Sequence, residues 1–229
     1  MHQASPLAQS PSASAYAVVR DGLLEGAYEP GSALKPAALA AEMGVSLTVV
    51  REALAHLSGE GLIERRTNRG FFVPQYTSER WTEVVNARLV LEPAVLELAI
   101  RSGSLEWESR VVAAHHRLSG TPLTDPTRLG VSKEWRDAHA AFHRALLEGS
   151  GNAVLLEATD RLWLESEVYR QWSVAKNPGR DFPDEHAALA EHAVRRDADA
   201  AVKTLRAHIT RTLDDLQLVR SSPHSDGGR

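Results

Sequence analysis

The sequence predicts a mainly α protein, with an N-terminal winged helix-turn-helix domain followed by an all-α antiparallel helical bundle. Two observations support the first domain: short helical patterns flank a turn at Gly44, and two strand-like runs follow, joined by a basic turn. A third supports the bundle, because from Glu79 onward apolar residues recur only at helical spacing. The 229 residues suffice for two small domains, each with its own core.

We expect the first domain to span residues 14–75 and the bundle to span residues 76–220. The stretch 1–13 is rich in Ser, Pro, Gln and Ala, and the tail 221–229 in Ser and Gly. Neither stretch holds enough apolar residues to pack, so both are predicted to be disordered.

Composition limits the possible functions. The absence of cysteine excludes disulfides, thiolate catalysis and sulfur-ligated metals. No apolar run is long enough to span a bilayer, and residues 1–13 lack the apolar core of a secretory signal, so we expect a cytoplasmic protein without a membrane partner. The formal net charge of −4 argues against a sequence-independent nucleic-acid coat. Any nucleic-acid binding must therefore come from a local patch.

Three short helices are predicted in the first domain. The first covers Ser14 to Gly26, and the second ends at Met43 before Gly44. The third covers about Ser46 to Ser58, with Ser46 as its N-cap. One face of the third helix is apolar and predicted to be buried, and the opposite face carries Thr48 and Arg51. The apolar residues of this helix are Val50, Ala53, Leu54 and Leu57.

A predicted hairpin follows the third helix. Leu62 and Ile63 indicate one strand and residues 71–73 another, with the turn over residues 67–70. Arginines cluster at this turn, where guanidinium groups can contact phosphates or enter a minor groove. Helices and hairpin together predict DNA binding, and the alternative is a helical hairpin beside an ordinary solvated basic turn. The clustered arginines are Arg65, Arg66 and Arg69.

The run LAAEMGVSLTVVREAL, followed by EGLI and NRGFFV, resembles the winged helix-turn-helix of GntR-type bacterial transcription regulators. In that family an Arg usually follows the Ser and a Pro precedes the Val-Arg pair, whereas this chain has Leu47 and Val49. The missing Arg removes one expected DNA contact. By this resemblance the remaining contact residues are Ser46, Thr48 and Arg51 on the helix and Asn68, Arg69 and Gly70 on the wing.

Six helices are predicted in the bundle. They cover about residues 79–102, 104–118, 132–149, 151–173, 184–195 and 198–220. In the first of them Arg88 and Glu92 lie four residues apart on an otherwise apolar face. These two residues could form an internal ion pair, or Arg88 could point into the bundle and bind an anionic effector.

Four histidines lie on the predicted inward faces of three bundle helices. Two of them are one helical turn apart, so their imidazoles can bind one ion together. A buried imidazole needs partners for two nitrogens, so each histidine alone could be a satisfied core residue, whereas the set predicts a metal site. The four residues are His139, His143, His186 and His208.

The stretches AFHRALLEGSGNAVLLE, EHAALAEHAV and LRAHIT are similar to the FCD domain, the ligand-binding bundle of the FadR branch of the same regulators. The resemblance implies an FCD-like bundle whose metal ligands correspond to the four histidines. His139 is a departure, because an Asp is more usual at that position. An all-nitrogen donor set favours a divalent transition metal over Mg²⁺ or Ca²⁺, with Zn²⁺ expected first and Ni²⁺ or Cu²⁺ as alternatives.

Together the two resemblances imply a homodimeric transcription regulator, more often a repressor, that binds near-palindromic operator DNA. They also imply that a small carboxylate metabolite binds at the metal and controls operator affinity. The alternative is a hydrolase-like metalloenzyme with an accessory nucleic-acid-binding domain, since histidine-bound metals can activate water. The sequence has no HExxH motif, no serine nucleophile elbow and no phosphate-binding glycine loop, so we expect no catalytic residues and no enzyme.

Overall fold

The computed structural model describes residues 10–124, 131–174 and 182–220, with side chains throughout except at 170–174, 182–183 and 213–220. The chain divides into two compact units, Met1–Tyr76 and Thr77–Arg229. The predicted disorder over residues 1–9 and 221–229 lies outside the described residues.

Helix α1, Pro11–Leu24, begins three residues before the predicted start at Ser14. Ser10 is its N-cap and accepts a hydrogen bond from the Ala13 N–H at 3.2 Å. Pro11 suits the first helical position, where an N–H would have no partner within the helix. Residues 11–13, predicted as part of a disordered start, are therefore helical.

Helices α2, Pro36–Met43, and α3, Leu47–Gly59, form the helix-turn-helix that the sequence predicts. Gly44 ends α2 in the left-handed region, at φ 65°. The Ser46 hydroxyl caps α3 by accepting from the Val49 N–H at 3.4 Å. The predicted apolar face of α3 is buried, and α1 packs against this helix.

A three-stranded antiparallel sheet completes the first unit, in the order β1-β3-β2. Its strands are β1, Ala33–Leu34, β2, Glu64–Arg66, and β3, Gly70–Phe72. The predicted strand at Leu62 and Ile63 is wrong. Gly61 at φ 83° and the Leu62 N–H bonded to the Leu57 carbonyl at 3.0 Å keep this segment in the turn that closes α3. Both side chains are nevertheless buried, and the strand begins at the next residue.

The second unit is helical, and each helix begins and ends within two residues of its prediction. The helices are α4, Ser78–Ser102, α5, Leu105–Ser119, α6, Lys133–Glu148, α7, Ala153–Val174, α8, Phe182–Val194, and α9, Ala198–Arg220. Helix α4 packs against α9, α7 and α6, and α5 packs against α6 and α8. None of the helices in the described part of the chain has both the length and the apolar character needed to cross a membrane.

Two arginines near the C-terminal end of the described chain donate hydrogen bonds to carbonyls of α4 and of the residue that follows it. Pro93 lies inside α4 and has no N–H for the Leu89 carbonyl, which instead accepts from Arg206 Nη1 at 2.9 Å. Arg196, which follows α8, donates at 2.6 Å to the carbonyls of Ile100 and Gly103 at the end of α4. These donors satisfy carbonyls that the helix itself leaves without partners.

Candidate nucleic-acid interface and metal centre

The exposed face of α3 carries the residues that the sequence predicts to contact DNA. Ser46, Thr48 and Arg51 are all exposed, while Val50 and Leu54 on the opposite face are fully buried. Helix α3 can therefore present its polar side without disturbing the core of the unit.

A cleft of about 620 Å³ separates α3 from the hairpin turn in the first unit. No acidic residue is among the described residues that line it. It brings together five of the eight predicted contact residues, whereas Ser46, Thr48 and Arg69 are exposed outside its lining. The five residues in the lining are Arg51, Arg65, Arg66, Asn68 and Gly70.

The arginines of this surface are not equivalent. Arg66 donates to Glu64 at 2.9 and 3.0 Å, and its guanidinium lies 4.2 Å from the centre of the Phe72 ring. Arg51, Arg65 and Arg69 form no ion pair within the described residues, so their charges can meet phosphate without first breaking a contact. Asn68 at φ 58° and Gly70 at φ 93° shape the turn between β2 and β3.

The second unit brings the four predicted histidines into one buried cluster. His139 and His143 come from α6, His186 from α8 and His208 from α9. Their exposed fractions are 0%, 4%, 2% and 4% respectively. One ligand atom from each lies within 4.8 Å of the others. His139 and His208, which are 69 positions apart in sequence, thus lie in the same cluster, as predicted from their positions on inward-facing helix stripes.

The geometry of this four-histidine cluster fits a small cation. Ligand nitrogens around a tetrahedral Zn²⁺ are about 3.3 Å apart, given Zn–N distances near 2.0–2.1 Å. His139 Nε2 and His186 Nε2 are 3.0 Å apart, and the four atoms need only small side-chain movements to close around one ion. Four imidazoles buried together without an ion would have to satisfy all their nitrogens with one another and their neighbours.

Aromatic rings form the walls of the cluster. Trp135 stacks on His139 with ring centres 4.4 Å apart and planes inclined by 20°. Trp163 contacts His143, with ring centres 4.5 Å apart. These rings restrict imidazole rotation and lower the local dielectric constant, which strengthens electrostatic interactions at the site.

Glu185 and Arg211 are site residues that the sequence interpretation missed. His208 Nδ1 lies 2.6 Å from Glu185 Oε2, and Arg211 donates to Glu185 Oε1. Glu185 is 8% exposed. In the sequence, Glu185 directly precedes His186 and Arg211 follows His208 by about one helical turn, but neither spacing indicates a contact between α8 and α9.

Arg88 forms an internal ion pair with Glu92, which is one of the two interpretations drawn from the sequence. It donates to Glu92 through Nε at 2.5 Å and Nη2 at 3.1 Å, and through Nη1 to Ser166 Oγ at 3.1 Å. Its guanidinium lies 4.9 Å from the centre of the Trp163 ring, whose other contacts include His143. Arg88 is thus one ring away from the histidine cluster, and its role as an effector contact stays a prediction.

Two family models match the chain. Residues 11–73 match the model described as bacterial regulatory proteins, gntR family, and residues 83–211 match the FCD domain. The chain belongs to the GntR family of bacterial transcription regulators, in the branch that carries an FCD domain. The two matches cover the winged helix-turn-helix and the helical unit in turn, so this GntR regulator has the fold class that its sequence predicts.

Similar proteins from several bacteria are described as transcriptional regulators or repressors. The uncharacterized HTH-type transcriptional regulator BphR of Paraburkholderia xenovorans (strain LB400) is 33% identical over 83% of this chain and 79% of its own. The HTH-type transcriptional repressor GlaR of Escherichia coli (strain K12) is 27% identical over 88% of this chain and 94% of its own. These similarities extend across both units.

Solved structures share the fold. McbR/YncC of E. coli superposes with a TM-score of 0.75 at 20% identity, covering 93% of this chain and 99% of that one. A putative GntR regulator from Rhodococcus sp. RHA1 gives a TM-score of 0.71 at 22% identity, covering 94% and 100%.

Proposed function

We propose that this GntR regulator is a homodimeric repressor whose operator affinity is controlled by a small carboxylate effector bound at a metal in the helical unit. The observation that carries the proposal is a buried cluster of four histidines, His139, His143, His186 and His208. It occurs in a chain that belongs to a family of DNA-binding regulators.

On the DNA side, α3 enters a major groove and the hairpin turn contacts the backbone or the adjacent minor groove. The proposal is supported by the exposed Thr48 and Arg51 and by the cleft that joins Arg51 to Arg65. Residues 1–75 hold six Lys and Arg against seven Asp and Glu, so one copy has little general attraction for DNA. Two copies on a near-palindromic operator supply the missing affinity.

On the effector side, the four histidines hold a transition metal, with Zn²⁺ expected first and Ni²⁺ or Cu²⁺ as alternatives. When bound, the metal supplies a Lewis-acidic site for a carboxylate oxygen. Neutral imidazoles leave the charge of the ion uncompensated, which favours an anionic further ligand. Arg88 lies one aromatic ring away and can pair with the same anion if its contact with Glu92 yields.

Control of DNA binding follows from linkage between the two sites. An effector that binds the DNA-competent and DNA-incompetent states of the dimer with different affinity must shift their populations. An effector with equal affinity for both states would bind without regulating.

The proposal is tested in three steps with the full chain. Selection from random DNA identifies an operator, and a thermal-shift screen of organic acids on zinc-loaded protein identifies acids that raise the melting temperature. Fluorescence anisotropy then measures operator affinity with and without each such acid. We expect at least one acid to stabilise the protein and to change operator affinity at least fivefold, while being recovered chemically unchanged.

Two results would contradict this function. Chemical conversion of the acid would favour the metalloenzyme alternative. A selection that enriches no DNA sequence would contradict the proposed role as a DNA-binding regulator. Arg51→Ala tests the DNA surface, with Arg101→Ala, which removes an exposed arginine from the second unit, as its matched control. We expect the first variant to weaken operator binding at least tenfold and the second to leave it within twofold.

A further inference from the structure

The contact between His208 and Glu185 determines which nitrogen of the His208 ring carries the hydrogen. His208 Nδ1 is 2.6 Å from Glu185 Oε2, and both side chains are less than one tenth exposed. A carboxylate only accepts hydrogen bonds, so Nδ1 carries the hydrogen and donates it. The lone pair of this imidazole is then on Nε2, the atom left to serve as the cluster's ligand.

The positions of helices α8 and α9 allow the Glu185 carboxylate to reach Nδ1 of His208. Glu185 directly precedes His186 on α8. His186 belongs to the cluster, and Glu185 contacts His208. His208 projects from the neighbouring helix α9, which packs against α8. The carboxylate therefore contacts Nδ1 of His208 across the packed pair of helices α8 and α9.

Arg211 completes the arrangement. It lies one turn after His208 on α9 and donates to the second oxygen of Glu185. Its side chain is 58% exposed, so its charge remains solvated while it offsets the buried carboxylate. The order of contacts is Arg211, Glu185, His208 and then the cluster.

We propose that Glu185 is a positioning residue for the metal site, holding His208 in the tautomer that presents Nε2, and that Arg211 holds Glu185 in place. This inference rests on the proposed metal site. A carboxylate that accepts from a ligating imidazole fixes its orientation and raises the basicity of the other nitrogen, which strengthens metal binding. Glu185 thereby supplies negative charge to a donor set that contains no acid.

Competition with a chromophoric chelator measures the zinc affinity of the metal-stripped, full-length chain. We expect Glu185→Gln to bind Zn²⁺ about 10–100-fold more weakly than the unmodified protein. Glu191→Gln is the matched control, because Glu191 lies on the same helix and pairs with Arg195 at the surface. It should change zinc affinity less than twofold. The melting temperatures of the metal-free variants report whether each is folded.

A second measurement needs no variant at Glu185. Long-range ¹H–¹⁵N NMR of the zinc-loaded, unmodified protein shows which nitrogen of His208 carries hydrogen, with the signal assigned by its loss in His208→Gln. We expect the hydrogen on Nδ1. A hydrogen on Nε2 overturns the inference, even if Glu185→Gln does not fold.

The outcomes separate this inference from the function on which it rests. If the unmodified protein binds no Zn²⁺, Ni²⁺ or Cu²⁺, the metal site itself is refuted. If it binds zinc and Glu185→Gln binds it equally well, the metal site stands and the role of Glu185 is refuted.

Discussion

Arg88 and Glu92 form a two-point ion pair inside the helical unit, with Nε–Oε1 and Nη2–Oε2 distances of 2.5 and 3.1 Å. Both side chains are at most 3% exposed. The two residues are one turn apart on α4, and Ser166 Oγ accepts a further hydrogen bond from the Arg88 guanidinium. A buried pair of this kind stabilises little by itself, but each partner depends strongly on the other.

Breaking the pair on one side should therefore destabilise the protein. We expect Glu92→Gln to lower the free energy of unfolding by about 3–5 kcal/mol, because it leaves the Arg88 charge buried without its carboxylate. The double variant Arg88→Met, Glu92→Leu should lose much less, since it buries no charge. Urea unfolding of the three proteins checks this, and equal losses in the single and double variants would refute it.

Arg196 should be important for stability, whereas its neighbour Arg195 should not. Arg196 donates to the carbonyls of Ile100 and Gly103 and to Glu108, while Arg195 is 71% exposed and pairs only with Glu191 among the described residues. We expect Arg196→Ala to cost about 2–3 kcal/mol. Arg195→Ala should stay within about 0.5 kcal/mol. Thermal unfolding of both variants measures the contrast, and similar melting temperatures would contradict it.

Leu47 marks where this chain departs from the usual family pattern, and it is 43% exposed at the first position of α3. We expect Leu47→Arg to tighten operator binding at low salt and to increase the salt dependence by about one counterion. Selection from random DNA should also enrich guanine at one added position in each half-site, because Arg pairs with guanine in the major groove.

Val18→Arg is the control for this substitution. Val18 lies on α1, is 54% exposed and is not among the residues that line the cleft beside α3. It adds the same charge to the same unit without placing it at the start of α3. An equal gain in DNA affinity from both variants would show that charge alone is responsible.

His115 should make the protein less stable in mild acid. Burial, followed by the like charge of His116, lowers the pKa of His115 from its ordinary 6.5. The unfolded chain therefore binds the proton more readily, so this contribution to stability is fully present above about pH 6.5 and is lost as pH falls from there through the lower pKa of the folded protein.

His115→Gln should remove part of that acid sensitivity. The variant also loses the contact between Ser119 Oγ and His115 Nε2, which are 3.2 Å apart. The test is the melting temperature of both metal-free proteins between pH 5 and 8. We expect a shallower decline below pH 6.5 in the variant, and parallel curves would contradict the assignment.

Helical periodicity placed the main elements correctly because the helices bury faces on which apolar residues recur at helical spacing. The four-histidine cluster could be predicted for the same reason, since His139, His143 and the other two occupy inward positions. Strand β1 could not be predicted, because two residues carry no alternating pattern and are held only by pairing with β3. The Glu185–His208 contact depends on how α8 and α9 pack, which spacing within either helix does not specify.

We propose that the four-histidine cluster binds one transition-metal ion per chain. Native mass spectrometry of protein stripped with a chelator, reloaded with Zn²⁺, Ni²⁺ or Cu²⁺ and desalted tests it most directly. His143→Ala removes one proposed ligand, and His192→Ala removes a histidine of α8 that is not part of the cluster. We predict one ion per chain in the unmodified protein and in His192→Ala, and none in His143→Ala. No bound ion in the unmodified protein, or equal retention by His143→Ala, would contradict the claim.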